Sequence, residues 1–204
     1  PNGVTLLFTL SSERSQLAAP FCLGYAFRKG DVPVGQTLSS NIINLQITPK
    51  NYWPDGSLKF AIVAGVAPLQ VNSPLTATLT AGTQATGVAL TTLSLRATGI
   101  QASVACGNYG SVNWIASDWD APFQIWVSGP QMSSWIYRKP VGADAHLVAW
   151  LEVRLFSNGA VEVFPWIENG YLRVAAPTSK ASTFSFTLGG TQRFNAAIDL
   201  PNHC

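Results

Sequence analysis

Two carboxylates flank a tryptophan in the stretch SDWD, where Asp118 and Asp120 bracket Trp119. A glycosidase works with two carboxyl groups facing each other across a sugar. On a strand these two would share a face with Trp119 opposite, and in a turn their directions are open. They belong to the longer segment CGNYGSVNWIASDWDAPF, Cys106 to Phe123, in which Tyr109, Trp114 and Trp119 lie among Gly, Asn and Asp. Flat rings with a few polar groups beside them suit a glycan. The same rings would also serve as a packed plug over the end of a β structure, or as anchors of a protein interface. Tyr109, Trp114, Asp118, Trp119 and Asp120 are therefore candidates for contact with a glycan or a protein partner.

Other chemistry finds less material. A nucleophilic triad needs a histidine base, and the chain has only His146, near the start of a strand-like run, and His203, beside the C-terminus. There is no GxSxG elbow and no glycine-rich loop with a lysine for phosphate. Tyr137, Arg138, Lys139 and His146 are chemically suited to a β-elimination, but their spacing is ordinary. The three cysteines, Cys22, Cys106 and Cys204, form no CxxC or Cys/His cluster, so no metal site is expected. Cys22 and Cys106 read either as buried thiols or as a bridge made in an oxidising compartment. No catalytic residue is assigned, the chain leans away from being an enzyme, and no cofactor is expected.

The elements that must carry these residues are strands. In HLVAWLEVRLF, His146 to Phe156, apolar residues alternate from Leu147 to Leu155, while Trp150, Glu152 and Arg154 take the other face. Asn158-Gly159 then marks a hairpin into AVEVFPW, Ala160 to Trp166. Further strands are expected at 4–10, 43–49, 58–65, 75–80, 100–106, 123–129, 183–189 and 192–198. No amphipathic helix of three turns is present, and one helical turn is expected near Ser117 to Ala121. Between two strand-like runs stands WPDGS. Pro54 has the φ of the first central position of a turn, Asp55 can accept a nearby N–H, and Gly56 supplies a left-handed residue. Trp53, before proline, is held extended. Trp53, Pro54, Asp55 and Gly56 are assigned to a structural turn.

CLGYAFRKGDVPVG, Cys22 to Gly35, and LQITPKNYWPDGSLKFAIVAG, Leu45 to Gly65, carry a KGD-x-P-x-G loop and a WPDGS turn. SGPQMSSWIYRKP, before the long strand, adds a weaker third match. Together they resemble the RIFT-barrel-like N-terminal domain of exo-rhamnogalacturonan lyase-like bacterial proteins, and similar segments occur in virion proteins of tailed bacteriophages. The resemblance implies an all-β module joined to other protein, with an architectural role for Gly30, Asp31, Pro33, Trp53, Pro54, Asp55, Gly56 and Ser57. In the lyase-like proteins, chemistry is expected from a following helical domain, so their activity is not carried over.

Composition agrees with a covered module. Charged residues are 11% of the chain, against about 25% in ordinary domains, and mean hydropathy is +0.20. So apolar a surface points to contact with other subunits or domains. The net charge of +2 comes without a Lys/Arg cluster, which argues against nucleic acid. No apolar run of about 20 residues is present to span a membrane, and no signal peptide is visible. Residues 1–204 are therefore expected to form a single all-β module, an antiparallel barrel or sandwich with little or no helix. Its expected role is a structural or interaction component of a virion or an extracellular or periplasmic assembly, such as a phage tail, fibre or decoration component, with polysaccharide as a second partner. The alternative is a carbohydrate-binding accessory domain of a polysaccharide lyase-like enzyme.

Overall fold

Short, β-branched and aromatic-rich runs separated by Gly, Pro, Asn and Asp become fourteen strands in the computed structural model, which describes residues 5–84, 86–170 and 178–203. All four sheets are antiparallel and open, and the all-β class with little helix stands. Where one module is expected, the chain traces two compact units.

The first unit comprises residues up to Leu90 together with Val127–Ser133 and Leu155–Ala160. Its strands are β1 (Leu6–Leu10), β2 (Gln16–Ala26), β3 (Leu38–Ser40), β4 (Leu45–Tyr52), β5 (Leu58–Leu69) and β6 (Leu75–Ala81). They form two three-stranded sheets, ordered β1-β6-β3 and β2-β5-β4. Central β5 is buried along most of its length, as a strand paired on both edges requires. Ala61, Val63, Leu69, Ala77 and Leu79 join Phe21, Phe27 and Ile47 in its core. Periodicity does not announce β2, because Pro20 and Gly24 interrupt it. Proline is tolerated there because β2 is an edge strand with no ladder to complete on one side.

The second unit comprises Thr91–Trp126, Ser134–Arg154 and residues from Val161 onward. It starts with α1 (Thr92–Ala97), a short helix absent from the sequence expectation; Thr91 Oγ1 accepts the Ser94 N–H as its cap, and Leu95 is fully buried. There follow β7 (Ala102–Cys106), β8 (Ser111–Trp114), β9 (Gln124–Val127), β10 (Met132–Val141), β11 (Asp144–Phe156), β12 (Val161–Asn169), β13 (Lys180–Leu188) and β14 (Thr191–Leu200). The sheets are ordered β12-β11-β10-β9 and β14-β13-β7-β8. Leu147, Ala149, Leu151 and Val153 of β11 are all buried, as the alternation predicts. The turn at Asn158-Gly159 is as expected: Gly159 has φ +83°, and the Ala160 N–H donates to Asn158 Oδ1. The helical turn expected at Ser117–Ala121 is a 3-10 helix at Ala116–Asp120. Strand β10 is the one periodicity misses most fully. Met132 to Trp135 are buried in succession, and Ser133 and Ser134 are completely so.

Candidate ligand-contact surface

The WPDGS turn closes on itself. The Gly56 N–H donates to Trp53 C=O and the Trp53 N–H to Ser57 C=O, both at 2.8 Å. Asp55 Oδ1 accepts the Ser57 N–H at 3.0 Å and the Ser57 hydroxyl at 2.6 Å. Gly56 has φ +81°, and a Cβ there would lie 2.7 Å from Val34 Cγ2. The KGD loop joins the turn: the Gly30 N–H donates to Ser57 Oγ at 3.0 Å, and the Leu58 N–H to Val32 C=O at 2.9 Å. Trp53 Nε1–H is bound to Phe27 C=O, with Lys59 above the ring. The two motifs that carry the family resemblance are thus one hydrogen-bonded clip.

The hydrogen bonds from the Ser57 side chain and backbone hold the Asp55 carboxyl below its ordinary value, with Lys29 adding a smaller attraction. A carboxyl depressed by folding stabilises the fold above its unfolded value, and that contribution is lost as pH falls through the folded value. Asp55→Asn is therefore expected to remove part of the acid destabilisation expected below about pH 4, while Asn Oδ1 keeps the turn. Melting temperature as a function of pH checks this. An unchanged acid limb would show that Asp55 contributes nothing through its charge.

The candidates from Tyr109 to Asp120 separate by burial. Trp119 is fully buried, Trp114 is 1% exposed, and neither offers a ring face to a glycan. Trp119 Nε1–H donates to Ile100 C=O at 2.9 Å, its ring meets Tyr137 edge-on at 5.1 Å, and its own C=O accepts the Tyr137 hydroxyl. Here the packed plug, one of the three alternatives, describes the geometry. Burial pushes the Tyr137 hydroxyl up, and the Asp120 charge adds to it. Asp118 bonds Lys139 Nζ at 2.8 Å and accepts the Ile115 N–H. Burial raises its carboxyl, but these two bonds outweigh that and hold it below the ordinary value. Asp120 pairs with Arg96. Both carboxylates are thus committed to cations of their own unit rather than facing a shared substrate. Tyr109 is half-buried in the 3-10 turn Gly107–Tyr109, with Lys180 Nζ 5.3 Å from its ring centre. Cys106 is a buried thiol, raised to about 11 by burial, and it forms no disulfide in this structure.

A different set of aromatics is presented to solvent. Trp150 of β11 and Trp166 of β12 lie parallel, 6° between planes and 5.7 Å between centres. Phe123, just before β9, meets Trp150 edge-on at 5.4 Å. The Arg138 guanidinium of β10 stands 4.6 Å from the Phe123 ring centre and 5.4 Å from that of Trp150. Trp150 Nε1–H donates to Glu168 at 2.9 Å. Phe123 is 55% and Trp166 41% exposed. The row continues to Phe164, 43% exposed, under Arg154, which also pairs with Glu152 and Glu162. Beside Trp166, a cleft of about 330 Å³ is lined by Phe184, Phe186, Phe194 and Ile198. The signal for this surface was in the alternation of β11: Trp150 is out of phase with the buried leucines, and the Asn-Gly hairpin brings β12 beside it.

Among the described residues no three His, Cys, Asp or Glu side chains converge as metal ligands, and no helix is long and apolar enough to cross a membrane. No family model and no curated protein matches the chain.

Proposed function

We propose that this chain is a non-catalytic interaction module of a virion or extracellular assembly that contacts glycans through Phe123, Trp150 and Trp166. The observation that carries the reading is the parallel Trp150–Trp166 pair, edged by Phe123 and Arg138 on an exposed sheet face. Sugar rings present flat C–H faces that pack on indole, and the two indoles here are held by strands rather than by loops. Arg138 and Glu168 stand at the margin with donors and acceptors for hydroxyl groups. Low charge and the pairing of Asp118 and Asp120 with cations support a role in contact rather than hydrolysis.

The test is titration of the protein with bacterial surface polysaccharides and pectic fragments, read by calorimetry. Trp166→Ala is expected to weaken glycan binding at least tenfold while leaving the melting temperature near that of the parent. Absence of binding to every glycan, or binding by Trp166→Ala and Trp150→Ala as tight as the parent's, would overturn the reading. Strong preference for uronate-rich pectic chains would favour the accessory domain of a polysaccharide lyase-like enzyme instead.

A further inference from the structure

Strand β14 lies at the end of its sheet, bonded to β13 on one side. Eight of its ten residues are exposed, and no other strand among the described residues pairs with it. Natural edge strands are usually blunted by proline, by charged side chains, above all lysine, or by a bulge. TQRFNAAIDL contains neither proline nor lysine. Its one register irregularity falls at Arg193, leaving Phe194 to Leu200 in regular pairing with β13. Phe194 and Ile198 are 46% and 37% exposed and line the apolar cleft beside Trp166.

The pattern is complementary to its own reverse. Arg193 and Asp199 stand at equal distances on either side of Ala196, and Phe194 and Ile198 do the same. Turning the strand about Ala196 places Phe194 opposite Ile198 of a second copy and Ala196 opposite itself, and brings Arg193, at the bulge just beyond the regular pairing, to the end of the ladder where Asp199 of the second copy stands. Sliding to the next symmetric register in either direction separates the charges, leaving Arg193 opposite Ala197 or Pro201. Opposite charges and apolar pairs directly across an antiparallel ladder are the contacts that stabilise it.

We propose that β14 pairs antiparallel with β14 of a second copy about a two-fold axis at Ala196. The pairing joins two four-stranded sheets into one continuous eight-stranded sheet. Such an interface is isologous, closes at two copies, and satisfies the free backbone groups of both edges at once. It covers Phe194 and Ile198 and gives the weakly charged surface a partner. This partner is independent of the glycan reading, since the residues concerned are different.

Sedimentation velocity over about 1 to 100 μM, a range that reads micromolar association, tests the idea. The parent chain is expected to dimerise. Asp199→Arg places two arginines opposite each other at both ends and is expected to weaken the dimer at least tenfold. The exchange Arg193→Asp with Asp199→Arg restores opposite charges and is expected to restore the dimer. Ala196→Cys, oxidised, is expected to give a cross-linked dimer that the parent does not form, because facing residues of an antiparallel pair have the Cα separation of a disulfide. Circular dichroism of each variant confirms that the fold is kept. A parent chain that stays monomeric across the range overturns the proposal. So does a dimer indifferent to Asp199→Arg, or one that Ala196→Cys does not cross-link. Glycan titration of the Asp199→Arg chain separates the two readings: its affinity is expected to match the parent, whichever way the dimer test falls.

Discussion

Trp119→Ala is expected to destabilise the second unit by about 3–5 kcal/mol, the usual cost of deleting a fully buried large aromatic. The indole is wholly enclosed, stacks edge-on with Tyr137 and donates its N–H to Ile100 C=O. Alanine would leave a cavity, a partly buried carbonyl without its indole donor, and a Tyr137 ring without its neighbour. Against a total stability of about 5–15 kcal/mol for an ordinary protein, this is a large fraction. Trp119→Phe fills much of the volume but lacks the N–H, so its cost should fall between alanine and the parent. Urea unfolding followed by circular dichroism measures both. A loss below about 1 kcal/mol for the alanine variant would contradict the plug, because surface changes stay within about 0.5 kcal/mol. The same variant matters for function: any fall in glycan binding should follow the loss of fold, whereas Trp166→Ala should lower binding without it.

The second large effect is expected at Gln46, a buried amide on β4 that makes four hydrogen bonds. Its Oε1 accepts the N–H groups of Gln131 and Met132 at 3.0 and 3.1 Å. Its Nε2 donates to Met132 C=O and Thr48 Oγ1, both at 3.0 Å. One side chain therefore satisfies both backbone groups of Met132, a residue with no exposure of its own. Gln46→Leu keeps roughly the volume and removes every partner. Each orphaned buried group costs about 1–3 kcal/mol, so a loss of about 2–5 kcal/mol is expected in urea unfolding. The close approach also explains Gly129, where a Cβ would stand 2.2 Å from Gln46 Oε1. Gly129→Ala should reproduce part of the Gln46→Leu loss. Near-parent stability for Gln46→Leu would mean that the Met132 groups find other partners.

These two positions also mark where local pattern ends. Trp119 stands in a polar segment, and its neighbours in sequence are two charged residues and a serine. Nothing in that spacing distinguishes a sugar platform from a plug. The choice was made by Ile100, Tyr137 and the strands behind them, which are distant in sequence. Gln46 looks like a polar position in a strand, and its backbone partners at Gln131 and Met132 lie 85 and 86 residues away along the chain. Strand β10 escaped notice for a related reason. A stretch paired on both edges and covered on both faces, as Met132 to Trp135 are, loses its period-2 alternation. Strand β2 escaped because its edge position permits a proline that would break a central strand.

What the amino-acid sequence determined by itself is local. The alternation of Leu147 to Leu155, the Asn158-Gly159 hairpin and the Pro54-Asp55-Gly56 turn follow from the geometry of the strand and from the φ values those residues allow. They settle the all-β class, the turn and the outward phase of Trp150. Tertiary structure decided which aromatics are buried, how Asp118 and Asp120 are paired, and that the KGD loop and the WPDGS turn form one clip. It also left β14 as the edge of its sheet. Burial and long-range pairing depend on which strands become neighbours, and that is a property of the whole chain's packing rather than of any one stretch of it.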